Sequence, residues 1–211
     1  MKRLFTILGL LCLTFTLQAQ SLSEFLNNKN SKTYWLGVDY SQVKLIGDGF
    51  EGLLDSSGEP VELRDKYAQD WNDLIIRESS KYAFDKALRK NEVINATAQT
   101  DQRNRTMNLK NVMVNAAQNL SESDIHKHVA SINFDVKDGY GVMMIMESLD
   151  KGRAQSILHF VIIDLSTKKI LKVEQFSGAP KGFGFRNFWA RPIYDTIQEI
   201  NKKKYRQWSR G

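Results

Sequence analysis

The chain has 211 residues, 42% of them hydrophobic and 26% charged, with a formal net charge of +6 and a single cysteine. That length and composition allow one domain with its own core, and they exclude a disordered, collagen-like or disulfide-braced chain. The charge does not mark a nucleic-acid binder, because residues 201–211 hold five Lys and Arg with no acid and the remainder is close to neutral.

Lys2 and Arg3 precede an uncharged apolar stretch over residues 4–17, and Ala19 follows as a small residue at a cleavage point. These are the three parts of a secretion signal. The apolar run falls short of the roughly 20 residues that span a bilayer. Leu11 stands before Cys12 where a lipid-anchored leader has a small residue. We therefore expect a signal peptide over 1–19, a lead-in over 20–32 and a single α/β domain over 33–211, with a basic tail at 201–211. The expected location is periplasmic or secreted, without a transmembrane anchor after cleavage. Cleavage removes the only thiol and takes the net charge to +4.

Residues 33–41 (TYWLGVDYS) alternate and are rich in aromatics, which predicts a first strand. Four glycines and Pro60 make 47–60 a loop, and a long helix is expected over 61–90, with Trp71, Leu74, Ile75 and Tyr82 on one face. A second strand is expected over 92–100, while 101–119 is polar and ambiguous. Ser121 to Asp124 reads as a capping box that opens a short helix. Four strand-like runs follow, over 128–136, 140–149, 155–165 and 169–177, with turn residues such as Asp138-Gly139 between them. The last helix is expected from about Phe188, with Trp189, Ile193, Ile197 and Ile200 on its stripe and Pro192 limiting its upstream regularity. The expected fold class is α+β: a two-layer sandwich, its mainly antiparallel sheet formed by the four-strand meander, with the long helix and the C-terminal helix on one face.

Gly47, Gly49 and Gly52 match the spacing of a dinucleotide loop, but more turn residues follow where a helix must begin, and Asp48 and Glu51 oppose phosphate. The stretch 178–189 is the principal candidate for a ligand site. Its glycines lie between a strand and a helix, where backbone N–H groups can turn toward an anion. Lys181, Gly182, Gly184, Arg186, Asn187 and Arg191 are the candidate binding residues there, against the alternative of a turn whose aromatics plug the core. Asp124, His126 and His128 are the candidate metal set, but the capping box explains Asp124, and no metal is expected. In the tail, Lys202, Lys203, Lys204, Arg206 and Trp208 are candidates for a partner or membrane surface, against simple compensation of a helix C-terminus. No Gly-x-Ser-x-Gly elbow is present, and pairs such as Asp70 and Asp73 read as helix decoration.

The leader ending at Ala19-Gln20, the segment Tyr34 to Asp39 (YWLGVD) and the run Gly182 to Trp189 (GFGFRNFW) together resemble an uncharacterised family of small exported proteins of Bacteroidetes-type bacteria. The resemblance implies an extracytoplasmic location and brings no catalytic residues. The functional expectation is a non-catalytic binding or envelope-associated protein, with a hydrolase of envelope or dietary polymers as the alternative. The partner would be an envelope protein or a small ligand, with no nucleic acid and no cofactor. Cutting the chain at Asn201 is expected to weaken partner capture without unfolding the domain.

Overall fold

The computed structural model describes residues 21–117 and 119–210, so the expected signal peptide lies outside the described residues. A short helix α1 (Leu22–Asn27) is opened by Ser21, whose hydroxyl accepts the Glu24 amide at 3.0 Å. Two strands follow in tandem, β1 (Thr33–Asp39) and β2 (Lys44–Ile46). Both run parallel to the same edge of a later, longer strand, β5 (Tyr140–Asp150): β1 pairs with it from Tyr140 to Ile145, and β2 from Ser148 to Asp150. Two very short strands, β3 (Ile94–Asn95) and β4 (Met113–Val114), add a third parallel row outside β1 and β2. On the other edge of β5, β6 (Gln155–Asp164) and β7 (Lys169–Gly178) close the sheet as antiparallel hairpins.

Helices cover both faces. One face carries α1, then α2 (Ala68–Arg77) after a π-type turn, α3 (Phe84–Ala87), and α6 (Phe185–Glu199), which continues into α7 (Tyr205–Trp208). They cover Trp35, Val38, Met144, Met146, Phe160 and Ile162 of the sheet. At the outer edge lies α4 (Ala98–Arg105). The opposite face carries α5 (Glu122–Ser131), whose Ile125 and Val129 meet Leu36, Met143, Ile145, Val161 and Ile163. A strand enclosed on both faces has no solvent side, and all eleven residues of β5 are buried.

This corrects the expected fold class. Four of the six strand pairings are parallel and helices lie on both faces, so the architecture is α/β around a mixed sheet and not a two-layer sandwich on an antiparallel meander. Parallel partners sit far apart in sequence, which no local pattern records. The meander has three strands. Its expected first strand, over 128–136, is instead the end of α5 and the irregular segment after Ser131, because Ile125, Val129 and Ile132 recur at helical spacing from the Ser121–Asp124 capping box. The expected helix over 61–90 stops at Arg77, where Glu78 leaves helical backbone (φ −98, ψ 39) and two serines follow that favour turns. The expected strand over 92–100 shrinks to Ile94–Asn95 as α4 takes over at Ala98. Among the described residues no helix is long and apolar enough to cross a membrane.

Candidate functional site

The site is organised where β7 passes into α6. A Cβ added at Gly178 would lie 2.7 Å from Pro192 Cβ, so glycine lets the strand end press directly against the helix. Pro192 has no N–H and cannot complete the helical bond to the carbonyl four residues back, at Phe188. That carbonyl accepts the Lys181 amide instead, at 3.1 Å. The connecting loop is thereby folded back over the first turns of α6. Gly182 (φ +131) and Gly184 (φ +79) occupy positive-φ conformations that side-chain-bearing residues rarely adopt.

The aromatics of this stretch divide. Phe185 enters the core, 4.6 Å from the Tyr67 ring and 6.1 Å from Trp71, and Trp71 Nε1 donates to the Arg186 carbonyl at 2.8 Å. Phe183, between the two glycines, is 96% exposed. The expected core plug is thus made by Phe185 and Trp189, while Phe183 faces outward.

Between this loop, the start of α6 and the turn after α2 lies a cleft of about 610 Å³. Of the residues singled out from sequence, Lys181, Gly182, Arg186, Asn187 and Arg191 line it, and Gly184, at the helix cap, does not. The facing wall brings Glu78 and Lys81, which sequence reading missed, and Tyr82 and Tyr194 meet edge to face with centroids 6.1 Å apart. Burial pushes the Tyr82 hydroxyl above its ordinary pKa, so it remains a neutral donor.

The charges are unequally satisfied. Lys81 pairs with Glu78 at 2.8 Å, and Arg191 with Asp195 at 2.8 Å. Lys181 and Arg186 have no carboxylate within 4.0 Å among the described residues. The cleft therefore offers two unneutralised cations, an amide side chain and tyrosine hydroxyls. Such a donor set has the chemistry to hold an anion.

No family model matches the chain, and no curated protein matches its sequence. Among solved structures it is similar to a Xanthomonas campestris protein of the family model DUF330, at 10% identity, covering 86% of this chain and 88% of that one, with a TM-score of 0.39. It is also similar to a Helicobacter pylori protein described as a neuraminyllactose-binding hemagglutinin homologue, at 9% identity, covering 88% and 91%, with a TM-score of 0.36. Likeness at this level carries no function to this chain.

The candidate metal residues are not brought together. Asp124 accepts from Ser121 in the capping box, and exposed His126 sits 3.7 Å from Glu122. Two residues along a helix are rotated by about 200°, so His128 points the other way. It is buried with Nε2 2.8 Å from Asp39 Oδ2, and Arg103 completes the cluster at 3.4 Å from each partner. Burial alone would raise the Asp39 carboxyl, but the His128 contact, with the Ser41 backbone amide donating at 2.8 Å, holds it below its ordinary pKa. A second buried pair, His159 and Glu147 at 2.7 Å, lies on the same sheet face under α5. Neither pair lines the α2/α6 cleft.

The tail residues separate as well. Lys202, Lys203 and Arg206 are exposed, but Lys204 is held by Glu174 at 2.6 Å. Trp208 is turned inward, stacked on Phe160 with centroids 5.8 Å apart and donating to Glu174. Tyr205 donates its hydroxyl to the Leu26 carbonyl. The tail is part of the core and does not form a detachable arm. In the glycine loop over 47–52, Glu51 takes the Gly49 amide at 3.0 Å, the donor a phosphate would need. A second cleft of about 390 Å³ beside Trp35 is lined by Asp85 and Glu92 as well as Lys86, so it carries no cluster of one charge.

Proposed function

We propose that the protein is an exported, envelope-associated binding protein without catalytic activity, whose α2/α6 cleft takes a small ligand bearing phosphate or carboxylate. The observation that carries this reading is the pair of cations, Lys181 and Arg186, standing in one cleft without a carboxylate partner. Charge-assisted hydrogen bonds are the strong class of polar contact, and Arg matches a two-oxygen anion in its planar fork. The leader-like segment at residues 1–19 supports export. The hydrolase alternative gains no support, because both buried His–carboxylate pairs are engaged with each other beneath α5, away from the cleft.

Titration calorimetry with inorganic phosphate tests the reading. Wild-type protein should bind in the millimolar range or tighter at low salt, and the Lys181→Ala/Arg186→Ala double variant should lose at least about tenfold in affinity. Lys202→Ala/Lys203→Ala should bind as wild type does. Equal loss in both double variants would reduce the effect to overall charge and defeat the proposal.

A further inference from the structure

The anion site has an apolar companion. Phe183 stands at the crest of the loop beside the cleft with 96% of its surface exposed, whereas the other exposed large apolar residues among those described, Ile94 and Met113, reach only 39% and 37%. The exposure is built in. Gly182 and Gly184, both at positive φ, hold the ring between them, and the Lys181–Phe188 bond anchors the loop behind it. From the same stretch Trp189 is buried and Phe185 is partly buried against the core, so the full outward aim of Phe183 is specific to that residue. Around it stand Lys181 and Arg186, the two cations of the cleft lining that lack acidic partners, and farther along the cleft Lys81 and Arg191.

We propose that this loop docks the protein on an anionic phospholipid surface, with Phe183 entering the boundary between headgroups and acyl chains while Lys181 and Arg186 take lipid phosphates. The proposal rests on the reading of the cleft as an anion site and names the source of the anion. An exposed aromatic beside unpaired cations is the combination that an interface requires, because the ring loses water on entering the acyl boundary and each basic residue gains from the negative surface potential. The basic tail is less suited to this role, since its Trp208 is already buried on Phe160 and its Lys204 is neutralised by Glu174.

The test uses vesicles of phosphatidylcholine, alone or mixed with phosphatidylglycerol. Full-length protein should co-sediment with the mixed vesicles, and Phe183→Ser should weaken this by about tenfold or more with its melting temperature unchanged. Phe183→Trp should gain an emission component that is quenched by lipids brominated in the acyl chain. Its four native tryptophans, all at most 9% exposed, should keep their emission. Phe183→Ser binding as wild type, or Trp at 183 escaping the brominated lipids, would overturn the docking proposal. If inorganic phosphate still binds the cleft in that case, the anion site stands and its ligand is a soluble one. Loss of both activities would remove the anion site as well. Capture of a peptide by the loop with no vesicle binding would also overturn it.

Discussion

Lys181 donates its backbone amide to the carbonyl of Phe188, the one carbonyl in α6 that Pro192 leaves without a helical donor. A residue that would ordinarily damage a helix interior is thereby used to fasten the preceding loop, and with it one wall of the cleft. The close approach of Gly178 to the same proline ring strengthens the connection.

Pro192→Ala separates loop order from helix stability. The new N–H would reclaim the Phe188 carbonyl, and alanine is favoured over proline in a helix interior by about 3 kcal/mol. We expect a melting temperature equal to or above wild type together with several-fold weaker phosphate binding and faster hydrogen exchange at the Lys181 amide. Unchanged exchange at that amide would show that the Phe188 carbonyl does not hold the loop.

Past the short β3 pairing at Tyr34 and Trp35, the edge of β1 is closed by side chains instead of by a strand. Gly37 (φ +97) produces a bulge, after which Asn72 accepts the Val38 amide at 2.8 Å and donates to the Val38 carbonyl, while Asn104 accepts the Tyr40 amide at 2.7 Å. Asn72 Nδ2 also donates to Asp101 at 2.8 Å, so Asn72→Leu would leave the Val38 amide and the Asp101 carboxylate short of partners in a dry setting. A loss of about 2–3 kcal/mol is expected in urea denaturation. A change below about 0.5 kcal/mol would mean that water replaces the amide at no cost.

Asp39 makes stability depend on pH in a definite direction. Its folded carboxyl titrates below the unfolded one, so its stabilisation is complete above the unfolded value of about 4 and drains away as pH falls through the folded value. Asp39→Asn should be less stable than wild type at pH 7, and the gap between the two should narrow as pH drops below about 5. A gap that stays constant or widens on acidification contradicts the assigned shift.

The C-terminal residues test the fold. Trp208→Ala removes the ring stacked on Phe160, and about 3 kcal/mol of stability should go with it, a fall of roughly 10 °C in melting temperature. Ending the chain at Asn201 should cost more, since Tyr205 and the Lys204–Glu174 pair leave too. A truncated chain that melts with wild type would restore the view of the tail as a separate arm.

What was legible in the sequence follows from where the information sits. The runs at 140–149, 155–165 and 169–177 read as strands because apolar runs and turn residues are local, and the Ser121–Asp124 box was plain for the same reason. The cationic loop was also visible, as glycines and basic residues ahead of a helix. The parallel rows were not, because the partners of β1 lie about 60 and 105 residues further along the chain. Nor was α4, a helix without an apolar stripe, whose buried face is Thr100, Asp101 and Asn104. Its apolar stripe is missing because polar side chains, Asn104 among them bonding to the edge of β1, fill the buried face that leucines fill elsewhere. Lys81 and Tyr82 were absorbed into the expected long helix, and only the break at Glu78 turns them toward Lys181 and Arg186.

An amide-resolved NMR titration with inorganic phosphate is the most direct measurement of anion binding in the α2/α6 cleft. Saturable shifts should appear at Gly182, Arg186 and Asn187, with smaller ones at Lys81 and Tyr82, and should vanish in Arg186→Ala. Shifts that never saturate, or that are as large at Lys202 and Lys203 as in the cleft, would contradict the account.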